Sequence, residues 1–340
     1  MKDSESSNTD LRGKILKTSI IGIGSALPQK IVTNDDLAGF MDTSDEWIRQ
    51  RTGIVTRHIA TSETTSSLIE DAARNALNDA GLKAEDLDLI VIATVSGDYR
   101  FPSAACILQA ALGNEKAMTF DIVVGCAGCV YGLDIADSFI RSGKVKNALV
   151  IGAETISKLT DWTDRSTSVL FGDGAAGFVL SATENDSVGI QGIMARGVGK
   201  DGMTLTMKER ENMSPWADGE KVWDYLHMDG QAVFKFACRK VPESIKEILD
   251  PLGLTADDID KFFLHQANYR IIETVAKMMK QPLDKFPTNM DHVGNISAAS
   301  VPCIMDEYNR KGLLKKGERY VLCGFGAGLT YATAVIVWDK

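Results

Sequence analysis

Apolar residues along the chain of 340 fall into two rhythms. Short β-type runs at 17–24, 89–95, 119–124, 148–151, 262–264 and 333–338 predict strands. The unbroken runs among them predict sheets covered on both faces. Segments 64–80 and 233–249 carry apolar positions at helical spacing and predict amphipathic helices. The run 119–124 stops at Gly125, and a helical stripe of Val130, Leu133, Phe139 and Ile140 follows at once, with Gly143 as its stop signal. The joint Gly81-Leu82-Lys83-Ala84-Glu85-Asp86-Leu87-Asp88 between helix and strand recurs as Gly253-Leu254-Thr255-Ala256-Asp257-Asp258-Ile259-Asp260, 172 positions later. Each half also closes on a glycine-rich turn before an apolar strand, at Phe171-Gly172-Asp173-Gly174 and at Phe325-Gly326-Ala327-Gly328. This repeat predicts an α/β chain of two similar βα halves with parallel strands, 17–184 and 185–340, behind a polar tail at 1–16. Segment 199–229 between the halves is polar, weakly periodic and longer than a connector requires. It predicts a lid, a channel wall or a flexible excursion.

Composition then removes several classes. With 44% hydrophobic and 24% charged residues the chain reads as a soluble globular protein, and a net charge of −9 argues against a nucleic-acid partner. Six cysteines make a poor disulfide framework and suit a reducing compartment. No run approaches the roughly 18–20 apolar residues of a membrane span, and the N-terminus lacks a signal peptide's apolar stretch. A cytoplasmic protein without a membrane partner is expected.

Candidate chemistry gathers at a few points. Cys126 sits where a strand turns into a helix, and free N–H groups with the positive dipole end favour a thiolate there. A buried structural cysteine is the alternative. His265 follows an apolar strand, where open α/β sheets place their ligands, and Asn295 lies in a small-residue turn before a helix. A satisfied core histidine and a plain helix cap are the bland readings of these two. Thr43-Ser44-Asp45-Glu46 predicts a helix start, with Trp47 and Arg51 on one face for a nucleotide base and its phosphates. Gly22-Ile23-Gly24 is a poor dinucleotide fingerprint, because Pro28 follows where a helix must open. Lys235 and Arg239 at i,i+4, with Arg270 and Lys277 at i,i+7, predict a basic patch for an acidic partner.

Taken together, Cys126, His265, Asn295 and the turn at Ala327 resemble the β-ketoacyl-acyl carrier protein synthase III family. The resemblance spans about 17–338, through Thr43-Ser44-Asp45-Glu46-Trp47-Ile48, Arg51-Thr52-Gly53-Ile54, Phe101-Pro102-Ser103-Ala104-Ala105, Cys126-Ala127-Gly128, Thr163-Asp164-Arg165, His265-Gln266-Ala267-Asn268 and Gly294-Asn295-Ile296-Ser297-Ala298-Ala299-Ser300. It implies a thiolase-like fold of five αβαβα layers, usually a homodimer. It also implies condensation of an acyl-CoA primer, commonly acetyl-CoA, with malonyl-acyl carrier protein. By the same resemblance Cys126 takes the acyl group, while His265 and Asn295 support malonyl decarboxylation. The N–H groups of Cys126 and Ala327 form the oxyanion hole, and Phe325 crowds the malonyl carboxylate. Trp47 and Arg165 flank the adenine of CoA, Thr43 and Arg51 lie near its phosphates, and Gly230 and Asn268 run along the pantetheine arm. Phe171 and Cys129 shape the acyl pocket, and Phe101 reaches into the acyl pocket of the partner subunit and suggests a small primer. No metal and no cofactor beyond the acyl-CoA substrate are implied.

The chain departs from the family pattern at Cys129, usually a phenylalanine, and at Ala327, usually a glycine whose replacement matters only if φ must be positive. Three other readings stay open: a thiolase using Cys323 as a second cysteine, a relative that primes a polyketide or another secondary product, and a thiol–disulfide oxidoreductase built on Cys126-Ala127-Gly128-Cys129.

Overall fold

The β-type runs all form strands in the computed structural model, which describes residues 16–208, Trp216 and 224–340. Nearly all of the tail at 1–16 and the middle of the excursion at 199–229 lie outside the described residues. One five-stranded sheet holds β1 (Lys17–Ala26), β2 (Leu89–Ala93), β3 (Met118–Ile122), β4 (Asn147–Thr155) and β5 (Asp173–Thr183), in the order β1-β5-β4-β2-β3. A four-stranded sheet holds β6 (Gly189–Gly197), β7 (Lys261–Leu264), β8 (Arg319–Gly326) and β9 (Thr330–Val337), in the order β7-β8-β9-β6.

Parallel pairing is confined to β2 with β3 and β4, and to β7 with β8; every other pair in the two sheets is antiparallel. The expectation of parallel halves is corrected at β8 and β9, whose short connecting turn sends the chain straight back, as only antiparallel neighbours allow. The two sheets nonetheless repeat one plan. β6 begins 172 positions after β1, β7 after β2 and β8 after β4.

Six helices matter for the site: α1 (Asp45–Thr52), α2 (Thr65–Ala80), α3 (Gly128–Arg141), α4 (Gly230–Leu249), α5 (Tyr269–Met278) and α6 (Ser300–Arg310). Thr64 caps α2, its hydroxyl accepting the Ser67 N–H at 3.0 Å, and the apolar face of α2 covers the outer side of the first sheet. The sequence Gly22-Ile23-Gly24 belongs to that contact: a Cβ on Gly22 or Gly24 would come within 2.4 or 2.2 Å of the Ala76 backbone. The pair is a close-packing device. α4 covers the outer side of the second sheet with α5 packed against it, and α3 and α6 lie between the two sheets. Five αβαβα layers result. α6 starts 172 positions after α3, and a short 3-10 turn precedes each, Gly125–Ala127 and Ser297–Ala299.

Candidate active site

The two 3-10 turns face one another across the middle layer. Each is approached so closely by a strand of the other half that a glycine is required. A Cβ on Gly152 of β4 would meet the Ala298 carbonyl oxygen at 2.4 Å, and one on Gly324 of β8 would meet the Ala127 Cα at 2.8 Å. Cys126 lies in the first turn, 8% exposed, with Gly326 directly over it: a Cβ there would come within 2.9 Å of the sulfur. The backbone N–H groups of Ala327 and of Cys126 itself both favour ionisation of that sulfur. Ala327 is not among the described residues with positive φ, and its methyl lies where a Cβ on Gly125 would sit, 2.9 Å away. The alanine is therefore accommodated because residue 125 has no side chain.

His265 follows β7, its N–H donating to the Cys323 carbonyl at 2.8 Å, and its ring meets Phe325 edge-on at 5.2 Å between centroids. Burial holds the imidazole down at about 3, so it is neutral at working pH. Its Nδ1 is buried and has no hydrogen-bond partner among the described residues. A proton there would be a stranded donor, so the favoured tautomer carries it on Nε2, the nitrogen left to the cavity. Asn295 is clamped through its backbone. Its N–H donates to the Leu170 carbonyl at 3.0 Å, and its own carbonyl accepts the Gly172 N–H at 2.9 Å. Its side-chain oxygen accepts the Ser297 N–H at 3.0 Å, which leaves the NH₂ as the end without a partner among the described residues. Behind this clamp the fully buried Arg57 donates to the Val169 carbonyl at 2.8 Å.

Cys126, His265 and Asn295 line one cavity of about 650 Å³, together with Phe171, Phe325, Gly326, Leu205 and Met228. Leu205 and Met228 are the paired ends of the 199–229 excursion, so its described part is a channel wall. Trp47, Arg51, Arg165, Gly230, Asn268 and Arg270 line the same cavity toward its exposed rim. Ser44 caps α1, and Trp47 projects from its first turn with the Arg51 guanidinium 4.7 Å and the Arg165 guanidinium 5.0 Å from its ring centroid. The Arg165 guanidinium lies closer to Trp47 than the about 7 Å, two stacking distances, that a flat ring between them would need. Arg165 is also held by its hydrogen bond to the Asp42 carbonyl, 2.6 Å long. Asn268 spends both ends of its amide on structure, accepting the Arg270 N–H and donating to the Arg51 carbonyl at 2.9 Å each.

Of the expected site residues, Thr43, Cys129 and Phe101 lie outside the lining, and Phe101, expected to reach a partner subunit, is 86% exposed on the single chain. Cys129 faces the apolar core between the sheets, its thiol pushed far up by burial, because residue 129 begins the side of α3 turned away from the cavity. Cys323 is fully buried in β8, receives the Thr333 hydroxyl at 3.3 Å and does not line the cavity, which leaves a thiolase without its second cysteine. The Cys126 thiol is itself pushed up to about 11, mainly by burial, where its place before a helix led to the opposite expectation. Two residues near it were not singled out from sequence, Ser297 and Glu154. A lone acid inside the apolar run of β4 was the available signal for the second.

Residues 120–199 match the family described as 3-oxoacyl-[acyl-carrier-protein (ACP)] synthase III, and residues 249–338 match its C-terminal counterpart. A β-ketoacyl-[acyl-carrier-protein] synthase III of Caldanaerobacter subterraneus subsp. tengcongensis is 50% identical, the match covering 96% of this chain and 99% of the relative. Its namesake in Clostridium perfringens is 47% identical over 93% of this chain and 98% of its own. Among solved structures, the 3-oxoacyl-[acyl-carrier-protein] synthase III of Aquifex aeolicus superposes with a TM-score of 0.88 at 41% identity, covering 94% of this chain and all of that one. The priming β-ketosynthase of the R1128 polyketide pathway gives 0.89 at 32%, covering 96% and 98%.

Proposed function

The chain belongs to the 3-oxoacyl-[acyl-carrier-protein] synthase III family, and on that premise we propose how its residues carry out the family's decarboxylating Claisen condensation. It is an acyl-transferring condensing enzyme that joins an acyl-CoA primer to malonyl-acyl carrier protein and so starts a fatty acid chain. Cys126 attacks the thioester carbonyl of the primer. The N–H groups of Cys126 and Ala327 receive the charge on the tetrahedral oxygen. Acyl transfer turns one thioester and one thiol into another thioester and the thiol of CoA, so a thiol held in its protonated form is compatible with the overall step. Malonyl-carrier protein then enters, and loss of carbon dioxide places charge on its thioester oxygen. The free Nε2–H of His265 and the NH₂ of Asn295 are neutral donors of the kind that oxygen requires. The apolar edge of Phe325 disfavours the carboxylate and favours its departure. The carbon nucleophile attacks the acyl group on Cys126, giving 3-ketoacyl-carrier protein and releasing the sulfur.

The observation that carries this reading is the single cavity with a sulfur, two neutral donors and a cationic aromatic rim. The rim suits the nucleotide end of CoA, with Trp47 and Arg165 for the base, Arg51 for phosphate, and Gly230 and Asn268 along the arm. Incubation with a panel of acyl-CoAs, followed by intact mass and peptide mapping, is expected to place one acyl group on Cys126, with acetyl transferred fastest. An unmodified protein, or a label on another residue, sinks the proposal. The R1128 relative supports a second reading in which the product feeds a polyketide, and a preference for longer primers in the same panel would favour it.

For the carrier protein, Lys235 and Arg239 on α4 and Arg270 and Lys277 on α5 are exposed on two packed helices whose first turns line the cavity. We expect Lys235→Glu with Arg239→Glu to raise KM for malonyl-carrier protein about tenfold at low salt, through lost steering. Acylation by acyl-CoA should stay unchanged, and equal loss in both half-reactions would exclude docking as the cause. A homodimer is proposed through the free edge of β3, beside which Phe101 and Val123 are 86% and 79% exposed.

A further inference from the structure

The two turns that face each other at the base of the cavity are repeat mates, and their first residues share an unusual backbone. Gly125 has φ +65° and Ser297, 172 positions later, has φ +50°. Glycine adopts this region freely, whereas a residue with a side chain is disfavoured in it. The fold therefore asks for glycine at both positions, and the second half keeps a serine against that preference.

What the serine does is readable from its contacts. Its hydroxyl lies beside the Cys126 thiol, whose ionisation it favours, and donates to Oε1 of Glu154 at 3.3 Å. Glu154, fully buried in β4, is the repeat mate of Gly326 in β8. One half thus sets a bare glycine over the sulfur, and the other sets a carboxyl group against the serine beside it. The far side of that carboxyl is saturated: Oε2 receives the Ser96 hydroxyl at 2.6 Å and the Val95 N–H at 3.1 Å, with Thr94 at 3.4 Å. Oε1 takes the Ser297 hydroxyl at 3.3 Å and shares the same Val95 N–H at 3.4 Å.

We propose that Ser297 and Glu154 are positioning residues that set which way the proton lies at the Cys126 sulfur. A hydroxyl owns one proton. With Glu154 ionised, Ser297 donates to Oε1 and the Cys126 S–H donates to Ser297, which holds the thiol. With Glu154 protonated on Oε1, it donates to Ser297, and the serine proton turns to the sulfur, which favours the thiolate. Burial holds the carboxyl up at about 7, so both arrangements are accessible near neutrality.

The proposal rests on Cys126 being the nucleophile, and its test uses iodoacetamide, which needs no substrate, read by intact mass at one neutral pH. In Glu154→Gln the amide oxygen takes the Ser96 and Val95 donors and the NH₂ donates to Ser297, which copies the protonated arrangement. Alkylation of Cys126 is expected to quicken about tenfold, the equivalent of one pKa unit. Ser297→Ala and Ser297→Gly should each slow it, the glycine variant doing so without backbone strain. In either background Glu154→Gln should change nothing. An unchanged rate in both Ser297 variants overturns the proposal, as does a Glu154→Gln acceleration that survives removal of Ser297, which would be charge acting through space. Failure of acyl-CoA to label the wild-type protein would instead remove the underlying assignment, so the two failures are distinct.

Discussion

Cys126→Ser is expected to abolish acyl-enzyme formation and to lower condensation by a factor on the order of 10⁴ or more, as loss of a nucleophile does elsewhere. The replacement is slightly smaller than cysteine, so Gly326, which lies against the sulfur, still accommodates it, and the donors from Ala327 and residue 126 remain. What changes is the reacting atom: an alcohol is a far weaker nucleophile than a thiol or thiolate at neutral pH. Intact mass after acetyl-CoA should show no adduct. Release of carbon dioxide from malonyl-carrier protein should nevertheless persist, because His265 and Asn295 are untouched. An acylated serine variant with normal turnover would refute the assignment.

Removing the donors should separate the half-reactions the other way. His265→Ala or Asn295→Ala is expected to leave Cys126 open to acylation while slowing decarboxylation by about 10²–10³, or roughly 2.7–4 kcal/mol, the scale of one lost oxyanion donor. The argument rests on orientation. The Ser297 N–H holds the Asn295 oxygen, and the stranded Nδ1 of His265 places the ring proton on the other nitrogen, so each group turns a donor toward the cavity. Asn295→Asp keeps the shape and replaces the donor with an acceptor, so it should be at least as damaging as the alanine variant. Equal loss of acylation and decarboxylation in these variants would show that the pair serves the nucleophile instead.

Much of this was legible in the chain because it depends on local pattern. The repeated joints at 81–88 and 253–260 announced the duplication, and the strand starts keep its offset. Cys126, His265 and Asn295 each follow an apolar run or a small-residue turn, and such signals survive without knowledge of neighbours. Properties set by distant contacts were not legible. Cys126 was expected to have a lowered pKa from its helix, but burial decides that value, and burial comes from the strand of the other half. Cys129 looked like an acyl-pocket residue by position, yet its side chain packs in the core between the sheets. Arg165 closes on Trp47 across more than a hundred residues of sequence. Antiparallel returns such as β8 to β9 were also missed, because apolar runs do not declare their direction. Ser297 and Glu154 became visible only when the two halves were laid over each other, since their meaning lies in a backbone angle and a cross-layer contact.

The placement of α3 and α6 in the shared middle layer bears on how the polypeptide is made. A ribosome finishing the first half releases a sheet whose inner helix still has one flank bare, and that flank stays unsheltered until the remaining residues are synthesised. Split at the midpoint, neither fragment would be a self-sufficient folding unit, and each would be sticky until it met the other. The reacting sulfur and its two helpers sit on opposite fragments of that seam, so the enzyme gains its chemistry at the moment its interior finally closes.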